Sequence, residues 1–179
     1  MLKTYLTDPG FALTARWALA LVFLFAVIHK LKAPAVFKTA LRDYRVLPER
    51  LLSPSSYAII AFELLAVTAL LANSRLGSGV AAILLAVYTL AISINLVRGR
   101  LDIDCGCSGP AIRQTLSIWL VVRNTGLLAV ALLTLPASSP RNLSLLDWFT
   151  TFAAVITFVL IYSAASYLSA SKARFTPLK

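Results

Sequence analysis

Apolar and polar positions alternate along this chain in long blocks. Apolar runs extend from about Phe11 to Leu31, Ser56 to Ala72, Gly77 to Val97, Thr115 to Leu135 and Leu146 to Ala170. Each is close to the length that crosses a bilayer as a helix. Lipid offers no partner for a backbone N–H or C=O, so a spanning segment must satisfy its own, and a helix does so. The pattern predicts an all-α, polytopic membrane bundle of about five transmembrane helices, one domain over residues 1–179. The second run lies near the lower length limit, which leaves four spans as the alternative. Asn73-Ser74-Arg75 predicts a tight turn between the second and third runs.

The stretch from Ala33 to Pro48 has a different rhythm. Phe37, Ala40, Leu41 and Tyr44 share one face at helical spacing, with Lys38, Arg42 and Arg45 elsewhere. Pro34 suits a first helical turn and Pro48 ends the pattern. This predicts a short amphipathic helix on the membrane surface, against the alternative of a solvated basic loop. Gly77, Ala81 and Ala82, and the Ser163, Ser166, Ser169 series, supply small residues for close helix packing. Trp148, Tyr162 and Tyr167 fit an interfacial aromatic belt.

Composition supports the membrane class: 59% of the 179 residues are hydrophobic and 13% charged, against about a quarter charged in soluble domains. The formal charge of +10 would suggest nucleic acid in a soluble protein. Here the basic residues sit between apolar runs, where they orient helices and meet anionic headgroups. No nucleic-acid motif is present, so the partner implied is the lipid bilayer. The first run is too long for a signal-peptide core, and His29-Lys30-Leu31-Lys32 is a poor approach to a cleavage site, so it is expected to be retained.

Five spans put the chain ends on opposite sides, called A for the N-terminal side and B for the other. His29, Glu63, Asn95, Arg123 and Asn124 then fall toward B, under the loop that carries the only two cysteines, Cys105 and Cys107. Arg16 is the exception, toward A. Intramembrane charges are costly and usually have a partner or a function. Glu63 and Arg123 are the expected pair, with His29 and Asn124 as neighbours, either as a bundle-stabilising ion pair or as a polar pocket opening toward Cys105.

The loop reads Asp104-Cys105-Gly106-Cys107-Ser108-Gly109-Pro110. Two thiols one residue apart bond only if the backbone bends, and Gly106 widens the conformations open to it. The small ring departs from relaxed disulfide geometry, which makes the bond easier to reduce. A structural staple would close almost no loop and gain little. A zinc site lacks ligands, although two thiolates suit a soft ion such as Cu(I). Thiol–disulfide exchange by Cys105 and Cys107 is the best fit, with a soft-metal carrier and a non-catalytic assembly scaffold as rivals. Arg98, Arg100 and Arg113 favour the thiolates and Asp102 and Asp104 oppose them. The electrons of such a pair would pass to a quinone of the bilayer or to a protein partner docking on the loop.

Cys105-Gly106-Cys107 with Ser108-Gly109, His29-Lys30-Leu31, Tyr44-Arg-Val-Leu-Pro48, Glu63 and Arg123-Asn124 together resemble the methylamine utilisation protein MauE family, which is related to the DoxX-like membrane proteins. The resemblance covers the chain up to about Leu135. It implies a role in maturing a client protein, the disulfide-rich small subunit of methylamine dehydrogenase, together with a thioredoxin-like redox protein. It therefore favours the protein partner over a quinone cofactor. Side B carries most of the Lys and Arg, so the positive-inside rule places the cysteine loop in the cytoplasm, whereas disulfide formation belongs outside.

Overall fold

The computed structural model describes residues 8–101, 103–105, 115–136 and 141–175. Among these residues six helices follow one another: α1 (Pro9–Lys32), α2 (Pro34–Asp43), α3 (Glu49–Leu71), α4 (Arg75–Val97), α5 (Ile118–Leu133) and α6 (Leu145–Phe175). α1, α3, α4 and α6 are long and apolar enough to cross a membrane. α5 is shorter at 16 residues, yet it covers the same depth. Leu120 near its start packs with Ile92 and Cys105, and Thr134 at its end bonds to groups near the opposite ends of α1 and α4. The protein is a multi-pass helical membrane bundle.

The ends of the elements follow local chemistry. The Asp8 carboxylate accepts from the N–H groups of Gly10 (2.8 Å) and Phe11 (3.3 Å), with Pro9 in the first turn of α1; these are donors that the helix itself leaves unpaired. Ser74 caps α4 through Leu76 N–H. α3 begins at Glu49, seven residues before the Ser56 start expected from the apolar run, and Pro54 lies inside it. Pro54 sits just beyond the first turn, where a missing N–H removes one bond rather than breaking a ladder on both sides. α5 starts later than expected because Thr115 is extended and bridges to Asp104.

Between α3 and α4 the chain reverses within a few residues, with Asn73 at φ 56°. A Cβ on Gly77 would lie 2.5 Å from the Leu70 nitrogen and 2.6 Å from the Ala69 carbonyl carbon. The packing role expected of Gly77 is thus a steric requirement against backbone. α1, α3, α4 and α5 share one apolar core of Leu19, Phe23, Val67, Leu70, Leu85 and Leu127, among others. α6 lies outside, against α1, where Trp17 meets Trp148 and Phe152 at 5.9 and 5.5 Å between ring centroids. Side chains such as Ile83, Leu90, Phe149 and Leu160 remain exposed around the bundle, as the lipid-facing surface of a membrane protein requires.

α2 forms as the spacing predicted and buries Phe37 and Ala40, with Tyr44 just beyond its end. It packs on α3 and the end of α1, roofing the B side.

Candidate functional site

Buried residues on α1 include Arg16, Ala20, Phe23, Val27 and Lys30, a 4-3-4-3 spacing that keeps them on one helix face. That face faces the core, and both of its ends are cationic. The two cations are handled differently.

At the B end, Lys30 Nζ lies 2.5 Å from Glu63 Oε1, with the side chains 2% and 0% exposed. The Tyr88 hydroxyl donates to the same oxygen at 2.6 Å and lies 3.3 Å from Nζ. The ammonium also stands 4.7 Å from the Phe37 ring centroid and 5.1 Å from that of Tyr88, within cation–π range. Helical side chains lean toward their own N-terminus. α1 and α3 run in opposite directions, so Lys30 leans down from the B side while Glu63 leans up toward it. Glu63 Oε2 is buried with no hydrogen-bond partner among the described residues.

Glu63 is therefore paired, but with Lys30 and not with the expected Arg123. α3 and α5 each pack mainly on other helices, α1 and α4 for the one and α4 for the other, so residues on α3 and α5 do not become neighbours at this depth. Arg123 instead lies over the Tyr162 ring of α6, 5.5 Å from its centroid, and donates to Asn124 Oδ1 at 3.4 Å. Asn124 is buried on α5. Asn95 is buried on α4, where its Nδ2 donates to the Ala91 carbonyl at 3.0 Å and its Oδ1 has no hydrogen-bond partner among the described residues. His29 is half-buried, one position off the core-facing stripe.

Cys105 is buried at 6% exposure, packed among Tyr44, Ile92, Leu116 and Leu120. The base of its loop is pinned by the Asp104–Thr115 bridge and by Leu116 N–H donating to the Ile103 carbonyl at 3.0 Å. Cys107 and Gly106 lie outside the described residues, as does the pairing expected of the two thiols. A cavity of about 200 Å³ does open against Cys105, but its walls are not those expected. None of His29, Glu63, Asn95, Arg123 and Asn124 lines it. Its walls are Phe37, Ala40 and Tyr44 from the roof helix, Val87, Tyr88 and Ile92 from α4, Cys105, and the Lys30 side chain, along with further apolar residues. The polar residues lie behind or beside this apolar chamber, and among the described residues Lys30 is the one charge that lines it.

Sequence reasoning passed over Lys30 and Tyr88. Lys30 looked like an interfacial cation at a helix end, and His29 beside it drew attention instead. The available signal was the 4-3-4-3 stripe, which includes position 30 and excludes 29. Tyr88 looked like one more aromatic in an apolar span.

At the A end, Arg16 is 2% exposed and has no acidic partner among the described residues. Its guanidinium donates to Ser78 Oγ (3.3 Å), to the Asn73 carbonyl (2.9 Å) and Oδ1 (2.5 Å), and to the Thr134 carbonyl (2.7 Å). Asn73 and Thr134 stand at the C-terminal ends of α3 and α5, where unpaired carbonyls and the helix dipole concentrate negative potential. Arg16 is thus a shared cap for two helices and explains its own burial structurally.

The family model described as methylamine utilisation protein MauE matches residues 9–137, from the start of α1 to just past α5. MauE of Paracoccus denitrificans is 37% identical over 184 residues, covering 98% of this chain and 96% of that protein. MauE of Methylorubrum extorquens is 36% identical over 92% of this chain and 91% of its own length, and MauE of Methylophilus methylotrophus 32% identical over 93% and 90%. No solved structure matches the chain. With the family model spanning the four-helix core and its roof, and relatives aligned over nearly their whole length, the chain belongs to the MauE family.

Proposed function

We propose that this protein serves methylamine utilisation as a membrane thiol–disulfide redox protein, in which Cys105 and Cys107 exchange electrons during maturation of a client protein. The pathway follows the names of the relatives. The observation that carries the chemistry is the placement of Cys105: held at the pinned base of its loop, against a chamber that a buried ammonium also reaches. In the step proposed, a client thiolate attacks the Cys105–Cys107 disulfide and one sulfur leaves as thiolate. A second client thiolate then displaces the other, so the client gains a disulfide and the pair becomes a dithiol. A thioredoxin-like partner, in its disulfide form, reoxidises the pair by the same exchange in reverse.

The test is replacement of each cysteine by serine in cells growing on methylamine. Either change is expected to stop formation of client disulfides, and one of the two is expected to trap a mixed disulfide on a non-reducing gel. Full client maturation in the double variant would overturn exchange in favour of a scaffold. Oxidative maturation also requires the loop on the outer face, against the count of basic residues. Single cysteines in place of exposed Leu101 and Leu145, in a chain lacking Cys105 and Cys107, report the two sides. An impermeant maleimide applied to intact cells should label position 101 and spare 145. The reverse result would place the exchange in the cytoplasm and remove client oxidation as its direction.

A further inference from the structure

The chamber against Cys105 has walls of a particular kind. Phe37, Tyr44 and Tyr88 give it aromatic faces, Ala40 and Ile92 fill between them, and Lys30 is the single charged group lining it among the described residues. Val46 and Val87 line it as well and are about half exposed. Val87 lies within the span α4, midway between its ends, so this side of the chamber opens onto hydrocarbon and not onto water. A ligand entering there dissolves in the bilayer.

Lys30 narrows the choice further. A protonated lysine has three N–H donors. Lys30 is 2% exposed and directs bonds to Glu63 Oε1 and the Tyr88 hydroxyl; the third N–H is left for the Phe37 face and the chamber. A lipid acyl chain has no use for a fixed cationic donor in an apolar room. A flat ring with a carbonyl at its edge uses both, stacking between aromatic walls while the carbonyl accepts from the ammonium. A chamber of about 200 Å³ suits one substituted ring, with an isoprenoid tail left in the lipid.

We propose that this chamber is a binding site for the ring of a membrane quinone, with one carbonyl oxygen held by Lys30 and the ring beside Cys105. This rests on the thiol–disulfide reading for its purpose. When the Cys105 and Cys107 thiols are oxidised, one S–S bond forms and two electrons and two protons leave; the quinone takes both electrons and both protons on its two carbonyl oxygens and becomes a quinol. A quinone so bound gives the Cys pair a second route to reoxidation, beside exchange with the thioredoxin-like partner. The buried Lys30–Glu63–Tyr88 cluster supplies a positive edge where negative charge builds on the reduced oxygen.

The test uses purified full-length protein in lipid nanodiscs with decylubiquinone as probe. Binding is read by quenching of tryptophan and tyrosine fluorescence, and electron transfer by loss of quinone absorbance after reduction of the protein with a dithiol. Wild type is expected to bind saturably and to reduce one quinone per Cys pair. Ala91→Phe, which fills the chamber from α4, should weaken binding by at least about tenfold. The Lys30→Met, Glu63→Gln double variant removes the charge pair together and should do the same while the bundle stays folded by circular dichroism. The Cys105→Ser, Cys107→Ser double variant should still bind quinone but not reduce it. If wild type fails to bind decylubiquinone, or if Ala91→Phe and the charge-pair variant bind as wild type does, the site is wrong. Displacement of bound phospholipid but not of quinone by Ala91→Phe would show an acyl-chain pocket and overturn the proposal. Quinone binding with unchanged client maturation in the cysteine variants would leave the site standing and remove the exchange function, so the two failures are distinguishable.

Discussion

Replacing Lys30 by methionine keeps the shape of the side chain and deletes its charge. Glu63 then keeps one partner on Oε1, the Tyr88 hydroxyl at 2.6 Å, while Oε2 already has none. A carboxylate in that state is an uncompensated buried charge, and breaking a buried pair from one side costs about 3–5 kcal/mol. Glu63→Gln is a milder loss. The ammonium left behind keeps the Tyr88 oxygen and the faces of Phe37 and Tyr88, and cation–π contacts contribute about 0.5–2 kcal/mol. Lys30→Met is therefore expected to cost more than Glu63→Gln; Tyr88→Phe removes a hydroxyl that donates to Glu63 and accepts from Lys30, hydrogen bonds to charged groups that contribute about 1.5–3 kcal/mol each before relaxation. Because replacing both partners of such a pair is often near neutral, the double variant should be more stable than Lys30→Met alone. Reversible unfolding in mixed micelles, followed by circular dichroism, gives the four corners of the cycle. Additive losses would show that Lys30 and Glu63 do not act as a unit. A second cycle with Arg123→Met should be additive with Glu63→Gln; strong coupling there would mean that the pairing described here is wrong.

Other substitutions probe the frame. Gly77→Ala should be severely destabilising, because its Cβ would lie 2.5 Å from backbone, while Gly126→Ala, with nothing within 4 Å, should leave stability unchanged or raise it by about 0.5–1 kcal/mol; thermal unfolding of the two in the same micelles makes the comparison. Arg16→Met should cost several hydrogen bonds to charge, about 1.5–3 kcal/mol each before relaxation, and Arg16→Lys should recover only part, since one ammonium cannot follow the planar fork to both helix ends; protease sensitivity of the α3–α4 turn is the readout. Arg141→Ala removes exposed contacts to Asp8 and Asp147 and should change stability by no more than about 1 kcal/mol.

The order of the helices and the roof helix were legible in the sequence because both depend on local patterning. Phe37, Ala40 and Tyr44 show their common face without reference to anything else. The early start of α3 was not, since Pro48, Pro54 and the serines on either side of Pro54 (Ser53, Ser55 and Ser56) read as a boundary, and only packing under the roof shows that the helix runs through. Glu63 stood out because a carboxylate inside an apolar run is conspicuous against any background. Its partner did not, because the choice between Lys30 and Arg123 depends on which helices adjoin, and adjacency is a tertiary property. Arg16 was visible as a charge and opaque as to purpose: two of its four acceptors are main-chain carbonyls, which every residue carries and no sequence marks.

The Arg16 cap has a bearing on how the protein is made. The ribosome delivers α1 before α3, α4 and α5, and the Arg16 guanidinium enters the bilayer region at a time when Asn73 and Thr134 have not been synthesised. A charge at the centre of a span costs about 2.5–3.5 kcal/mol on insertion scales; Arg16, nearer the A end, costs less than that, and nothing in α1 itself offsets it. One acceptor set arrives with the α3–α4 turn, the other only when α5 is complete. Until then the first helix has reason to stay shallow or to remain beside the insertion machinery. A chain cut short before Thr134 keeps an arginine with one helix end to bind instead of two, a defect inside the membrane by which cellular surveillance could tell an unfinished copy from a finished one.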